Sequence, residues 1–144
     1  MEQIERSIGT IGRVGSSVLA ARRRSLQVGV DVSAPGMGIL GVLERGGPLH
    51  VSVIARRAGM VPTLASRELR SLEAAGYIVR RPDDDDGRVV VVTLTPNGKE
   101  VYGNLRRASV AATADALAGW TAPDLAVLAR LLARMADDFS AVRR

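Results

Sequence analysis

Residues 77–95 read Tyr77-Ile78-Val79-Arg80-Arg81-Pro82-Asp83-Asp84-Asp85-Asp86-Gly87-Arg88-Val89-Val90-Val91-Val92-Thr93-Leu94-Thr95. Tyr77 to Arg81 is strand-like, Pro82 to Gly87 is made of turn formers, and Val89 to Leu94 is a β-branched return run. The stretch predicts a β-hairpin with an acidic tip. Immediately before it, Pro62 opens a helix at a position where its missing N–H does no harm. Leu64, Leu69, Leu72 and Ala75 give that helix an apolar face, and Gly76 ends it. Thr63, Ser66, Arg67, Arg70 and Ser71 fall largely on the opposite face, and Ala65 belongs clearly to neither. A compact helix from about Ser52 to Ala58, closed by Gly59, precedes it and should bury Val53, Ile54 and Ala58. Leu49 to Val51 forms a short extended piece before that.

Further out the chain is helical on both sides. A helix on Met37, Leu40, Val42 and Leu43 runs to about Arg45. Ser33 or Asp31 caps it, Pro35 lies in its first turn, and Gly46-Gly47-Pro48 stops it. Residues 1–30 form a long imperfect helix with Ile4, Ile8, Ile11, Val14 and Val18 on one face. Gly9, Gly12 and Gly15 within it indicate close helix packing or a weak first helix. Arg22-Arg23-Arg24 reads as a solvated face, with phosphate contact as its functional alternative. Downstream, Thr95-Pro96 starts a helix to about Ala118, and Gly119-Trp120 breaks it. Thr121 and Asp124 then open a last helix striped with Leu125, Leu128, Leu131, Leu132, Met135, Phe139 and Val142.

Composition narrows the function classes. The 144 residues fit one domain with helical extensions, and with 3% aromatics the core must be aliphatic. Cysteine is absent and His50 is the single histidine, which removes disulfides, thiol chemistry and multi-histidine metal sites. No apolar run is long enough for a membrane span, and the N-terminus lacks the pattern of a secretory signal. The expectation is a soluble cytoplasmic protein with no cofactor and no membrane partner. There is no nucleophile–base set, no metal-ligand spacing and no phosphate loop, so catalysis is not expected. Net charge is +5. His50 to Pro82 holds six basic and two acidic residues, so +4, whereas Asp83 to Thr95 holds one and four, so −3. The densest positive segment is therefore the pair of short helices and the first hairpin strand, a pattern that suits a polyanionic partner.

Two short helices, a tight turn and then a hairpin make a winged helix-turn-helix pattern. A helix with its side chains is about 10–12 Å across and the major groove about 12 Å wide, so a helix exposing small polar groups and arginine can reach base edges. Residues 33–100 resemble the MarR family of bacterial transcriptional regulators. Ile54-Ala55-Arg56-Arg57-Ala58-Gly59 resembles its positioning helix, and Ser66 to Gly76 its recognition helix. Asp86, Arg88, Leu94 and Thr95 meet its wing pattern D-x-R-x5-L-T, with Arg80-Arg81-Pro82-Asp83 before it. The flanking helices follow the family's order, so the resemblance covers nearly the whole chain.

The resemblance implies a mainly α fold with a small β-hairpin: a winged helix-turn-helix over 33–95, flanked by dimerisation helices at 1–32 and 96–144. It implies a homodimer on double-stranded DNA, repressing from a (pseudo)palindromic operator. Thr63, Ser66, Arg67 and Arg70 would face the DNA, Arg88 would enter the minor groove, and Arg80 and Arg81 would touch the backbone. Asp86 would pair with an arginine of the wing or recognition helix. Relatives also bind small aromatic or phenolic ligands, and Met37, Leu40, Arg45 and Tyr102 are the corresponding cleft residues. The chain departs from the family at Val61, a poor helix cap, at Leu64, and at Gly87 with its acidic neighbours. The acidic wing motivates the competing reading, a winged-helix protein that works mainly through protein contacts. Arg56 and Arg57 are divided between solvent and phosphate. Glu73 and His50 read as surface residues, and Tyr77 and Trp120 as packing anchors.

Overall fold

The computed structural model describes residues 1–25 and 32–142. Asp31, the first helix beyond Ser25, and the side chains of Val18 and Arg22 to Arg24 lie outside the described residues. The elements run α1 (Glu2–Ser25), α2 (Ala34–Gly46), β1 (Leu49–His50), α3 (Val51–Arg57), α4 (Pro62–Ala74), β2 (Ile78–Pro82), β3 (Val90–Leu94), α5 (Pro96–Ala116) and α6 (Ala122–Val142). Predicted and observed boundaries differ by one or two residues, the usual uncertainty of helix and strand ends.

The expected caps form. Ser33 Oγ accepts the Gly36 N–H at 2.9 Å at the start of α2, and Thr95 Oγ1 accepts the Gly98 N–H at 2.9 Å at the start of α5. Each satisfies an N–H that the first helical turn leaves without a partner. Val61 precedes α4 with no side-chain cap bond, and Pro62 takes the first turn.

The hairpin belongs to a three-stranded antiparallel sheet in the order β1-β3-β2. Ile78 pairs with Leu94 and Pro82 with Val90. The short strand β1 adds to the far side of β3 through Leu49–Val92 and His50–Val91. The sheet covers an aliphatic core of Ile39, Leu40, Leu43, Ile54, Leu69, Leu72, Ile78, Val92, Val101 and Leu105, which joins α2, α3, α4, α5 and the sheet. Tyr77 packs against this core, as expected. Trp120 does not anchor packing within the protomer: it is 48% exposed where α5 turns into α6.

Several burial expectations change. Ala65 is completely buried and Glu68 is 9% exposed, so the inner face of α4 is Ala65, Glu68, Leu69 and Leu72. Ala75 is exposed because the helix has ended there, and Val53 and Ala58 are only partly buried.

The terminal helices differ from the centre. α1 packs on α5, yet Ile4, Ile8, Ile11 and Val14 stay exposed. A Cβ on Gly12 or Gly15 would meet nothing within 4 Å, so these glycines do not serve close packing within the protomer. α6 buries no residue at all. Its stripe is open, with Leu131 at 49% and Phe139 at 57% exposure. Among the described residues, no helix is long and apolar enough to cross a membrane.

Candidate nucleic-acid interface

The geometry of α4 follows from which face it buries. Ala65, Leu69 and Leu72 lock one side against the core and so fix the rotation of the helix. Thr63, Arg67, Arg70 and Ser71 are exposed on the other side, while Ser66 is half-buried at the margin. α4 packs on α2, α3 and β2, which holds this polar face beside the wing. The helix begins without a side-chain cap or an acidic residue in its first turn. Its free N–H groups and the positive end of its dipole favour an anion there.

Two arginines of α4 and the wing are tied to acids. Arg80 Nε donates to Glu73 Oε2 at 3.0 Å, which links the first wing strand to the last turn of α4. Glu73 thus joins the wing to the helix, a role beyond that of a solvated acid. Arg67 Nη2 stands 3.5 Å from Glu68 Oε1. Glu68 Oε2 in turn accepts the Ser33 hydroxyl at 2.5 Å. The sequence reading missed Glu68. The signal was an acid at an i, i+3, i+4, i+7 position of an apolar stripe, with Ala65, Leu69 and Leu72 completing it.

At the wing tip Asp83 and Asp86 turn onto backbone amides, while Asp84 and Asp85 are exposed. Asp83 Oδ1 accepts the N–H groups of Asp85 at 2.9 Å and Asp86 at 3.1 Å. Asp86 Oδ1 accepts the Arg88 N–H at 3.1 Å. The expected pairing of Asp86 with an arginine side chain is replaced by this bond, because the amide two residues on lies within reach in a tight turn. Among the described residues, no acid of the tip forms an ion pair with an arginine. Arg81 and Arg88 are exposed.

The bonds from the Asp85 and Asp86 amides hold the Asp83 carboxyl below its ordinary value of 3.8. A depressed carboxyl favours the folded turn above the ordinary value, and that contribution is lost as pH falls through the lowered one. In an acid titration followed by NMR, the Asp85 and Asp86 amides should move together with a midpoint below 3.8. A midpoint at or above that value would show that the turn is not held by Asp83.

Of the expected ligand residues, Leu40 is separated from the others by burial. Leu40 is fully buried in the core, which corrects its placement at a cleft. Met37 packs against that core. Arg45 and Tyr102 do come together: a Cβ on Gly41 would lie 3.0 Å from Tyr102 Oη and 3.3 Å from Arg45 Nη1. Arg56 and Arg57 are exposed at the end of α3.

Comparison with known proteins agrees with this arrangement. A model of the MarR family matches residues 30–89. The uncharacterised HTH-type transcriptional regulator YfiV of Bacillus subtilis is 37% identical over 76 residues, 53% of this chain and 48% of that protein. The match therefore spans about half the length of that relative. An HTH-type transcriptional repressor of Mycobacterium tuberculosis is 30% identical over 109 residues, 76% of this chain and 78% of the relative. The crystal structure of the transcriptional regulator SlyA is similar with a TM-score of 0.77 at 26% identity, covering 96% of this chain and 94% of that one. The family model's span opens just before α2 and closes within the wing, the stretch that carries the exposed polar face, and the chain belongs to the MarR family, here matched by helix-turn-helix transcriptional regulators.

Proposed function

We propose that this chain is a homodimeric repressor that binds a (pseudo)palindromic operator in double-stranded DNA. The observation that carries the reading is the outward face of α4: Thr63, Arg67 and Arg70 are exposed while the opposite face is locked in the core. In this reading α4 enters the major groove, with Ser66 at the margin of its reading face. Arg88 reaches the minor groove, and Arg80 and Arg81 lie along the backbone. Asp86 serves by shaping the turn that presents Arg88. The repressor assignment is supported by the Mycobacterium tuberculosis relative.

The division of labour is a DNA-binding unit over 33–95 and dimerisation segments over 1–32 and 96–144. The bare apolar stripe of α6 supports it, since so large an exposed apolar surface calls for a covering partner. A two-fold dimer presents two copies of α4 to half-sites about 34 Å apart, one turn of DNA. Release by a small aromatic or phenolic ligand rests on the family resemblance, with Arg45 and Tyr102 offering polar contacts. The fold and the net positive charge suit a cytoplasmic regulator.

The test is a titration against duplexes enriched from a randomised DNA library, repeated at several salt concentrations. Affinity should fall steeply with salt and the enriched site should be palindromic. Absence of binding at low salt would favour action through protein contacts instead. Arg67→Ala should remove about 1–3 kcal/mol of discrimination at one base pair of each half-site, the scale of a bidentate arginine–guanine contact. Unchanged discrimination, measured as a ratio of Kd values on single-substituted duplexes, would place Arg67 on phosphate or in solvent.

A further inference from the structure

We propose that Glu68 is a positioning residue for DNA reading, holding Arg67 in the direction from which it meets a base edge. The inference rests on the reading of α4 as the groove helix. Glu68 is the buried charged residue of the described core, at 9% exposure on a face otherwise made of Ala65, Leu69 and Leu72. A buried carboxylate is weak support for stability, because an apolar residue of similar size would fill the same place without desolvating a charge. What distinguishes Glu68 is that its two oxygens face different partners. Oε2 takes the Ser33 hydroxyl at 2.5 Å, and the same hydroxyl oxygen caps α2 through the Gly36 N–H. Oε1 contacts Arg67 Nη2 at 3.5 Å. The carboxylate is thus anchored on α2 at one end and holds the guanidinium at the other.

Little else restrains Arg67. Its side chain is 70% exposed, against 12% for Glu68. On the inner side Arg67, Glu68, Ser33 and Ser71 border a cavity of about 330 Å³ rather than packed side chains. A long side chain with free rotamers loses entropy when it docks on a base, and holding one nitrogen beforehand reduces that loss. The guanidinium offers its N–H groups in a fixed fork, so a contact at Nη2 leaves the remaining donors aimed.

The role has a signature that damage to the fold would not mimic. Glu68 is negative and lies next to a face that would meet phosphates. Removing its charge should leave non-specific DNA affinity unchanged or higher, while the preference at the Arg67 base pair drops. A merely structural role would lower both together.

The experiment uses Glu68→Gln in the full chain, with Arg67→Ala and Ser33→Ala beside it. Gln keeps the shape and an oxygen for the Ser33 hydroxyl. Each protein is titrated with the duplex that the unaltered protein enriches from a randomised library, with its single-base variants, and with unrelated duplex. Melting temperatures are read in parallel. Glu68→Gln should lower discrimination by up to about fivefold, the size an exposed ion pair supports, at the same base pair that Arg67→Ala affects. Its affinity for unrelated duplex should not fall. Ser33→Ala should weaken the same preference, since it frees the other end of the carboxylate. Full discrimination in Glu68→Gln, with Arg67→Ala still losing it, would overturn the positioning role and leave the DNA reading standing. A uniform loss of affinity with a lower melting temperature would assign Glu68 to packing alone. If Arg67→Ala itself changes nothing, the DNA reading of Arg67 fails and this role falls with it.

Discussion

Gly98→Ala should destabilise the protein by about 3 kcal/mol, at the upper end for inserting an extra carbon into a packed site. A Cβ at this position would stand 1.9 Å from the Tyr77 carbonyl oxygen and 2.8 Å from its carbon. Both are backbone atoms, so no side chain can swing aside. The same oxygen accepts the Thr95 N–H at 3.0 Å, and the Thr95 hydroxyl donates to Gly76 O at 2.7 Å. Relief would push α5 away from the turn that ends α4 and strain both bonds. The helix cap at Thr95 would suffer with them, worth about 1 kcal/mol by itself. Thermal denaturation should show a fall of about 10 °C. Gly103→Ala in the same helix is the contrast. Its Cβ would meet only Arg107 Nη1 at 3.7 Å, so it should raise helix stability by up to about 1 kcal/mol. Equal melting of Gly98→Ala and the unaltered protein would disprove the close approach.

In the proposed dimer, Leu131→Glu should give a monomer and weaken operator binding by about a hundredfold or more. Leu131 is 49% exposed on a helix that buries nothing within its own chain. The charge therefore costs the protomer little, but in a two-fold interface it is placed opposite apolar surface and desolvated, twice per dimer. Two reading units held together gain about 10²–10⁴ over one when both half-sites are engaged. Sedimentation velocity and DNA titration of the same sample test this. A dimer with intact binding would show that the α6 stripe is covered by something other than a second copy.

What could be read ahead of the structure was local. Ser33 and Thr95 announced helix starts because a capping hydroxyl acts on an amide three residues away. The turn formers at Pro82 to Gly87 announced the hairpin for the same reason. Glu68 and Gly98 were not legible in this way. The value of Glu68 depends on Ser33, 35 positions earlier, and that of Gly98 on the backbone of Tyr77, two elements back. β1 was recognised as extended, but its pairing with β3 closes a loop of about forty residues that no local pattern encodes. Leu40 was placed at a cleft by the family resemblance, whereas its periodicity marks only a buried helix face, and that face meets the core. The stripe of α6 was visible as a pattern, while its having no cover within the protomer became apparent only in three dimensions.

The strand order β1-β3-β2 leaves the outer side of β2 unpaired. An open strand edge is a template for adding strands from other chains, and proteins blunt it with proline and charge. Here Pro82 closes the strand with no N–H to offer, after Arg80 and Arg81 and before four consecutive aspartates. The aspartate run thereby sets like charges where a second wing edge would have to approach, which opposes strand addition at that edge.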